Sequence, residues 1–155
     1  MKKQRIYIDT SVIGGCFDNE FEMWSNGLLK DFKNNLFIPV VSDIVEAEVA
    51  DAPNIIVQKY HEFLDCDAEI IETTDEVILL ADVYSSRKIL KEKFYRDMLH
   101  IALATVNKID ILVSWNFKHI VRFDKIRLFN SVNIEQGYSQ LEIYSPREIT
   151  FYGKE

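Results

Sequence analysis

The feature that most constrains the fold is residues 95–121, YRDMLHIALATVNKIDILVSWNFKHIV. Apolar residues cover every side of its first half, so the sequence predicts a helix over 95–107 that lies inside the protein. The apolar run 111–113 is typical of a parallel strand covered on both faces. Asp97 falls in the first turn of the helix and Asn116 just past the strand. Polar groups in such surroundings need a cap, a partner or a metal ion.

Size and composition predict one globular domain over residues 1–155. Hydrophobic residues make up 48% of the chain and charged residues 28%, which is ordinary for a domain with a real core. No apolar run approaches the ~20 residues needed to cross a bilayer, and Asp9 interrupts the N-terminal run before it could form a signal-peptide core. Cys16 and Cys66 match no metal spacing, so we expect two free thiols and a cytoplasmic protein.

Charge is unevenly spread along the chain. The formal net charge of −7 argues against a protein that holds nucleic acid by bulk electrostatics. Half of the 18 Lys and Arg residues nevertheless fall within 87–96 and 118–127. Two interpretations are open: solvated helix faces, or a basic rim around an acidic centre. These nine residues are Arg87, Lys88, Lys91, Lys93, Arg96, Lys118, Arg122, Lys125 and Arg127.

Strands alternate with helices along the sequence, which predicts one α/β domain with a mainly parallel sheet. Ser42 is expected to cap a helix that ends near Asp51, and Pro39 indicates an edge strand or a strand start. The predicted strands are 5–8, 36–41, 68–71, 111–114 and 141–144. The other predicted helices are 22–32, 55–64, 76–91, 95–107 and 117–123.

Two further acids occupy positions that ordinary packing does not favour. Asp9 follows the first strand, and in open α/β sheets ligands collect beyond the carboxyl ends of strands; the alternative is an Asx turn or a helix cap. At ~100° per residue, Glu48 lies between Ile44 and Val45 on the helical wheel, while Glu46 points to the far side. Glu is seldom buried without a partner, although a snorkelling edge residue is the alternative interpretation.

Asp9, Glu48, Asp97 and Asn116 could converge, because parallel strand ends lie along one edge of a sheet. Several carboxylates cannot stay ionised together unless a cation compensates them. Hard oxygen ligands without a nearby Cys or His set indicate Mg²⁺ or Mn²⁺ rather than zinc. Such ions reach a substrate through its phosphates and activate water for in-line attack.

Four short motifs follow one another along the chain: Ile8-Asp9-Thr10-Ser11, Ser42-x-x-Val45-x-x-Glu48-Val49, Asp97-x-x-His100-Ile101-Ala102-Leu103-Ala104 and Leu112-Val113-Ser114-Trp115-Asn116. Taken in this order, they resemble those of a PIN domain over nearly the whole length of the chain. The resemblance implies a three-layer αβα sandwich with a mainly parallel central sheet. It also implies an Mg²⁺- or Mn²⁺-dependent ribonuclease, as in the toxins of VapBC-type toxin–antitoxin pairs.

The resemblance assigns a role to each acid of this set. Carried over by position, Asp9, Glu48 and Asp97 are the implied metal ligands and catalytic acids. Thr10 or Ser11 is implied to brace Asp9 or a metal-bound water. These assignments predict one acidic, metal-dependent centre.

The fourth motif departs from the family pattern. PIN domains commonly carry an Asp two residues after the position of Ser114, and this chain has Asn116 there. The loss of one negative charge weakens a second metal site above all, although the amide oxygen can still ligate a metal or hold a water. Ser114 and His119 are candidates for positioning substrate or water. His100 and His119 either contact the scissile phosphate or are satisfied core and rim residues, and Trp115 either stacks on a base or packs.

These observations lead to two main hypotheses about function. The first is an endoribonuclease that hydrolyses RNA phosphodiester bonds and is the toxin of a toxin–antitoxin pair, with an antitoxin partner and a homodimer implied by the resemblance. The second is a catalytically weak or inactive PIN-like module that binds RNA or a protein partner, which Asn116 and the net acidity favour. A phosphoryl-transfer enzyme for a small substrate is a weaker third hypothesis, because no phosphate-cradling Gly loop is present.

Overall fold

A computed structural model describes residues 2–154. Its centre is a five-stranded sheet, and all four strand pairings are parallel. The strands are β1 (Arg5–Ile8), β2 (Ile38–Ser42), β3 (Glu69–Ile71), β4 (Ile111–Val113) and β5 (Glu142–Tyr144). They lie in the order β3-β2-β1-β4-β5, which confirms the parallel sheet expected from the sequence.

Helices cover both faces of this sheet and complete the expected three-layer sandwich. On one side α5 packs against α6 and α7, and on the other α2 packs against α1, α4 and α8. The helices are α1 (Thr10–Gly15), α2 (Glu22–Lys33), α3 (Asp43–Ala50), α4 (Asn54–Leu64), α5 (Asp75–Ser86), α6 (Tyr95–Val106), α7 (Phe123–Glu135) and α8 (Pro146–Ile149). Within residues 2–154, no helix has the length and apolarity that crossing a membrane requires.

Helix α6 lies inside the molecule, as its sequence predicts. Every residue from Met98 to Thr105 is buried, because apolar side chains surround the helix and both α5 and β4 pack against it. Residues 6–8 of β1 and all of β4 are buried as well. The start of α3 also follows the prediction: the Ser42 hydroxyl accepts a 3.3 Å hydrogen bond from the Val45 amide, which caps the helix.

Two local predictions are wrong, and a third is confirmed in one of its two alternatives. Residues 117–120 form a turn rather than a helix, closed by hydrogen bonds of 3.1 and 2.8 Å from the amides of Ile120 and Val121 to the Asn116 carbonyl. Helix α5 ends at Ser86 instead of continuing to residue 91. Pro39 lies in β2, which pairs on both sides and is not an edge strand; Pro39 is the second residue of β2, so it marks a strand start.

The strand order reverses at β1, with β2 and β3 on one side and β4 and β5 on the other. Open parallel sheets form a crevice at such a reversal, beyond the carboxyl ends of the two central strands. Asp9 follows β1 directly and Ser114 follows β4 directly. The sheet therefore places both residues in this crevice.

Candidate functional site

The centre of the candidate site is Asp9, which is only 5% exposed. Its Oδ1 accepts a 2.5 Å hydrogen bond from the Ser11 hydroxyl, and its Oδ2 accepts one of 2.6 Å from the Ser114 hydroxyl. Burial raises the pKa of Asp9 because it disfavours the charged form, while His100 and the two hydroxyls act in the opposite direction. A buried acid with a raised pKa in a crevice is typical of functional sites.

The two serines connect this carboxylate to the segment that follows β4. The Ser11 hydroxyl accepts a 2.9 Å hydrogen bond from the Trp115 amide, and the Ser114 hydroxyl accepts one of 2.9 Å from the Asn116 amide. Each hydroxyl thus donates to Asp9 and accepts from the backbone. The orientation of the carboxylate is therefore fixed from both sides.

Glu48 is the second acid of the site and is half-buried on α3. Its Oε1 accepts hydrogen bonds of 2.9 Å from the Thr10 hydroxyl and 3.1 Å from His100 Nε2, and its Oε2 lies 3.8 Å from Arg96 Nη1. Burial would raise its pKa, but His100, Thr10 and Arg96 outweigh burial and lower the pKa of Glu48. Glu46 is exposed on the other side of the helix, as the helical wheel predicts.

Tyr7 holds His100 in place, a role that the sequence analysis missed. The Tyr7 oxygen lies 2.8 Å from the Ser42 hydroxyl and 2.7 Å from His100 Nδ1, so it forms hydrogen bonds with both. The other ring nitrogen, Nε2, is the one that reaches Glu48. Burial raises the pKa of Tyr7 well above its usual value, so the phenol stays neutral. The sequence feature that could have indicated this role is Tyr7 itself, a residue with a hydroxyl group in the middle of the buried strand β1.

Asp97 belongs to a second group, beside the first. Its Oδ2 lies 2.8 Å from His119 Nδ1, and the His119 ring packs on Phe94 with centroids 4.0 Å apart. Asn116 Oδ1 accepts a 3.0 Å hydrogen bond from the His119 amide. The Asn116 side chain therefore shapes the turn that presents His119 to Asp97.

The predicted residues thus form two neighbouring groups, which the hydrogen bond between the Asn116 amide and the Ser114 hydroxyl connects. Within residues 2–154, no three His, Cys, Asp or Glu side chains are arranged to hold one metal ion. The three-acid ligand set remains a prediction. The first group contains Asp9, Thr10, Ser11, Glu48, His100 and Ser114, and the second contains Asp97, Asn116 and His119.

The donor chemistry of the first group fits a hard divalent cation. Asp9 and Glu48 offer carboxylate oxygens, and the negative charge of Glu48 contributes to the raised pKa of Asp9, as expected of neighbouring acids. Mg²⁺ is usually bound through one or two carboxylates together with waters and substrate phosphates. Asp9 and Glu48 alone therefore suit Mg²⁺ or Mn²⁺, and the first group contains no sulfur ligand.

Trp115 has a packing role. Its indole stacks on Phe21 with centroids 4.1 Å apart, and its Nε1 donates a 2.8 Å hydrogen bond to the Ser25 hydroxyl. Gly15 lies so close that a Cβ atom there would be 2.6 Å from both Trp115 Nε1 and Ser25 Oγ. Because Trp115 is only 7% exposed, its face is not available to a nucleic-acid base.

Comparison with known proteins gives a likeness of fold. No protein-family model and no curated protein matches this chain. A chain of VapBC2 from Rickettsia felis, in a structure bound to a DNA fragment from their promoter, superposes with a TM-score of 0.59 at 18% identity, covering 92% of this chain and 98% of that one. A chain of a toxin–antitoxin complex from Klebsiella pneumoniae gives a TM-score of 0.50 at 18% identity, covering 73% and 88%.

The chain has a PIN-like fold. The resemblance seen in the ordered motifs is thereby confirmed at the level of architecture. Within the PIN-like fold, Asp9 and Ser114 occupy the crevice at the strand reversal, and α3 brings Glu48 to the same place.

Proposed function

We propose that this chain is an Mg²⁺- or Mn²⁺-dependent endoribonuclease that acts in the cytoplasm as the toxin of a toxin–antitoxin pair. One observation carries the proposal: Asp9 and Glu48 lie together at the strand reversal of a fold shared with toxin–antitoxin structures. The raised pKa of Asp9 supports it, because a buried charge without a function is a cost to stability.

In this proposal the residues of the first group have two roles, binding the cation and orienting its ligands. Asp9 and Glu48 would hold the cation, with Ser11 and Ser114 orienting the first carboxylate and Thr10 the second. A bound divalent ion supplies an activated water at neutral pH and offsets negative charge on the phosphate. The oriented carboxylates keep this chemistry at one place in the crevice.

The second group would act on the substrate itself. Asp97 holds His119 through its Nδ1 atom, so Nε2 is the ring nitrogen that remains for a phosphate or a leaving oxygen. Asp97 fixes the tautomer and the ring plane, as carboxylates do for functional histidines. Nε2 would then accept a proton from the attacking water when the ring is neutral, or donate one to the leaving oxygen when the ring is protonated.

Cleavage of a structured RNA tests the proposal. With Mn²⁺ present, the wild-type protein should cleave, and Asp9→Asn and Glu48→Gln should each lower the rate by about 100-fold or more. Glu46→Gln is a matched control, because Glu46 lies on the same helix but binds Tyr60 instead of the site. Activity that persists in chelator or in Asp9→Asn would refute metal-dependent cleavage at this centre.

A second candidate function is a PIN-like module without catalysis. The observation in its favour is that each acid already has a partner: the serines on Asp9, His100 on Glu48 and His119 on Asp97. Titration with Mn²⁺ followed by electron paramagnetic resonance separates the two functions. No binding at millimolar Mn²⁺, with RNA binding retained, would favour the inactive module.

An antitoxin partner is part of the main proposal, since both structural neighbours come from toxin–antitoxin assemblies. Co-expression with the product of the neighbouring reading frame should yield a stable complex in which cleavage is suppressed. Light scattering of the isolated chain would show whether it forms the homodimer that the resemblance implies. A freely active toxin in the co-expressed sample would contradict the pairing.

A further inference from the structure

A basic cavity of ≈ 480 Å³ lies between the end of α5 and the segment that joins β4 to α7. The two basic segments of the sequence, 87–96 and 118–127, come together here. Five cationic side chains line the cavity, and the His119 ring forms part of its wall. The cationic residues are Lys88, Lys91, Lys118, Arg122 and Lys125.

The positive charge of this cavity is largely uncompensated. The chain carries 25 acidic residues against 18 basic ones, yet none of the acids lines the cavity. Within residues 2–154, no carboxylate lies within 4.0 Å of the four lysines. Arg122 pairs with Asp124, at an exposed position. An unneutralised cluster of one sign in a concave surface concentrates its field on an anion.

Two of the lysines are held in position by the backbone. Lys125 Nζ donates a 2.7 Å hydrogen bond to the Ile89 carbonyl, which fixes its ammonium group at the cavity wall. Lys88 has a φ of 57°, in the left-handed region that favours glycine. It ends α5 through hydrogen bonds from its own amide to Ser85 and from the Ile89 amide to Tyr84. This left-handed turn places Lys88 at the wall of the cavity.

We propose that this cavity is a phosphate-binding subsite, which holds a backbone phosphate of the RNA strand next to the one that is cleaved. The assignment to RNA rests on the proposed function. His119 connects the two places, because its Nδ1 binds Asp97 and its ring lines the cavity. Lysines contact phosphates as point charges, so the subsite contributes affinity and register without reading sequence.

Binding of a labelled RNA, measured with chelator present, tests the subsite apart from cleavage. The probe is a fluorescein-labelled single-stranded RNA of about 12 nucleotides, followed by anisotropy between about 50 and 200 mM salt. Lys88→Gly and Lys91→Gln should each raise the Kd about fivefold at 0.1 M salt and lower the slope of log K against log salt by about 0.7. In the double variant the two effects should combine, which raises the Kd about 25-fold and lowers the slope by about 1.4.

Lys108→Gly is the matched control. Lys108 also has a left-handed φ, of 54°, and ends α6 with the same pair of hydrogen bonds, to Thr105 and from Ile109 to Ala104. It lies outside the basic cavity. Both lysine-to-glycine variants should melt at or above the wild-type temperature, but only Lys88→Gly should lose RNA affinity.

Two results would overturn the subsite: no RNA binding by the wild-type protein in chelator, or wild-type affinity and salt slope in the Lys88→Gly, Lys91→Gln double variant. Equal binding of a duplex DNA of the same sequence, with the same dependence on the lysines, would overturn the assignment to RNA. Loss of affinity in the variants, together with no Mn²⁺-dependent cleavage by the wild-type protein, would support the subsite and refute the proposed nuclease function.

Discussion

Ser114 and Asp9 are 105 positions apart in the chain and are joined by a hydrogen bond of 2.6 Å. This bond crosses the point at which the strand order of the sheet reverses. Because the carboxylate is buried, its orientation depends on donors that the pairing of β1 with β4 delivers. The fold therefore holds a charged group in a place where a charge on its own would be unfavourable.

Replacing Asp9 should make the protein more stable and remove cleavage. The pKa of Asp9 is raised in the folded protein, so its ionised form opposes folding at neutral pH. Asp9→Asn should therefore increase the free energy of unfolding by about 1 kcal/mol, a gain typical of substitutions that relax a functional site. Urea denaturation measures the gain, and an RNA cleavage assay measures the loss. A less stable Asp9→Asn would contradict this account of the carboxylate.

Removing the Tyr7 hydroxyl should weaken both stability and catalysis. Tyr7→Phe leaves His100 Nδ1 buried without its hydrogen-bond partner, which should cost about 1–3 kcal/mol of unfolding free energy. The imidazole would then lose a contact that positions it, and the nitrogen NMR signals of His100 should shift from those of the wild-type protein. Tyr60→Phe is the control, because the Tyr60 hydroxyl binds Glu46 away from the site. Unchanged His100 spectra in Tyr7→Phe would rule out the positioning role.

The pairing of Arg5 with Glu69 should make stability depend on pH. Arg5 donates two hydrogen bonds, of 2.8 and 2.7 Å, to the Glu69 carboxylate. The bond from Arg5 lowers the pKa of Glu69 from its ordinary value of 4.5, although burial acts against it. Because the folded pKa is the lower one, the stabilisation is present above pH 4.5 and is lost as the pH falls through the folded pKa.

Glu69→Gln should accordingly lower the unfolding free energy by about 0.5 kcal/mol at pH 7, a small value because the pair is partly exposed. The difference from the wild-type protein should shrink as the solution is acidified. Thermal melts across this range would measure it, with the exposed Glu72→Gln as control. If the difference in unfolding free energy between Glu69→Gln and the wild-type protein grew on acidification, the stabilising role of the Arg5–Glu69 pair would be contradicted.

Two adjacent glycines of α1 should respond to alanine in opposite ways. A Cβ at Gly15 would lie 2.6 Å from Ser25 Oγ and Trp115 Nε1, so Gly15→Ala should cost about 1–3 kcal/mol. A Cβ at Gly14 meets nothing within 4 Å, so Gly14→Ala should gain about 0.5–1 kcal/mol from helix propensity. Chemical denaturation followed by tryptophan fluorescence would measure both. Equal effects at the two positions would contradict the close approach of Trp115.

The parts of the fold that followed from the sequence are those where local pattern and tertiary packing agree. Apolar residues on every side of α6 have a single physical outcome, which is a buried helix. The Ser42 cap was predictable because its hydrogen bond to Val45 is local. The places of Asp9 and Glu48 at the crevice follow from similar local rules, namely the end of a strand and one face of a helix.

The parts of the structure that could not be predicted from the sequence depend on contacts between distant residues. Helix α7 begins at Phe123 without a side-chain cap, and few of its residues are buried, so its periodicity is weak. Lys88 ends α5 in a left-handed conformation with no Gly or Pro to mark the stop. The pairing of Asp97 with His119 arises across 22 positions. Tertiary context decides all three, and no local pattern reports it.

The burial of α6 determines how the candidate site can open. The amide protons of its buried stretch, residues 98–105, should exchange with solvent only when the whole molecule unfolds. His100 belongs to this stretch and cannot loosen by fraying, while Asp97 precedes it in the half-buried first turn. His119 lies in a surface turn and can move separately. A binding partner that switches the site would therefore act by moving the turn that carries His119 relative to the rigid helix α6.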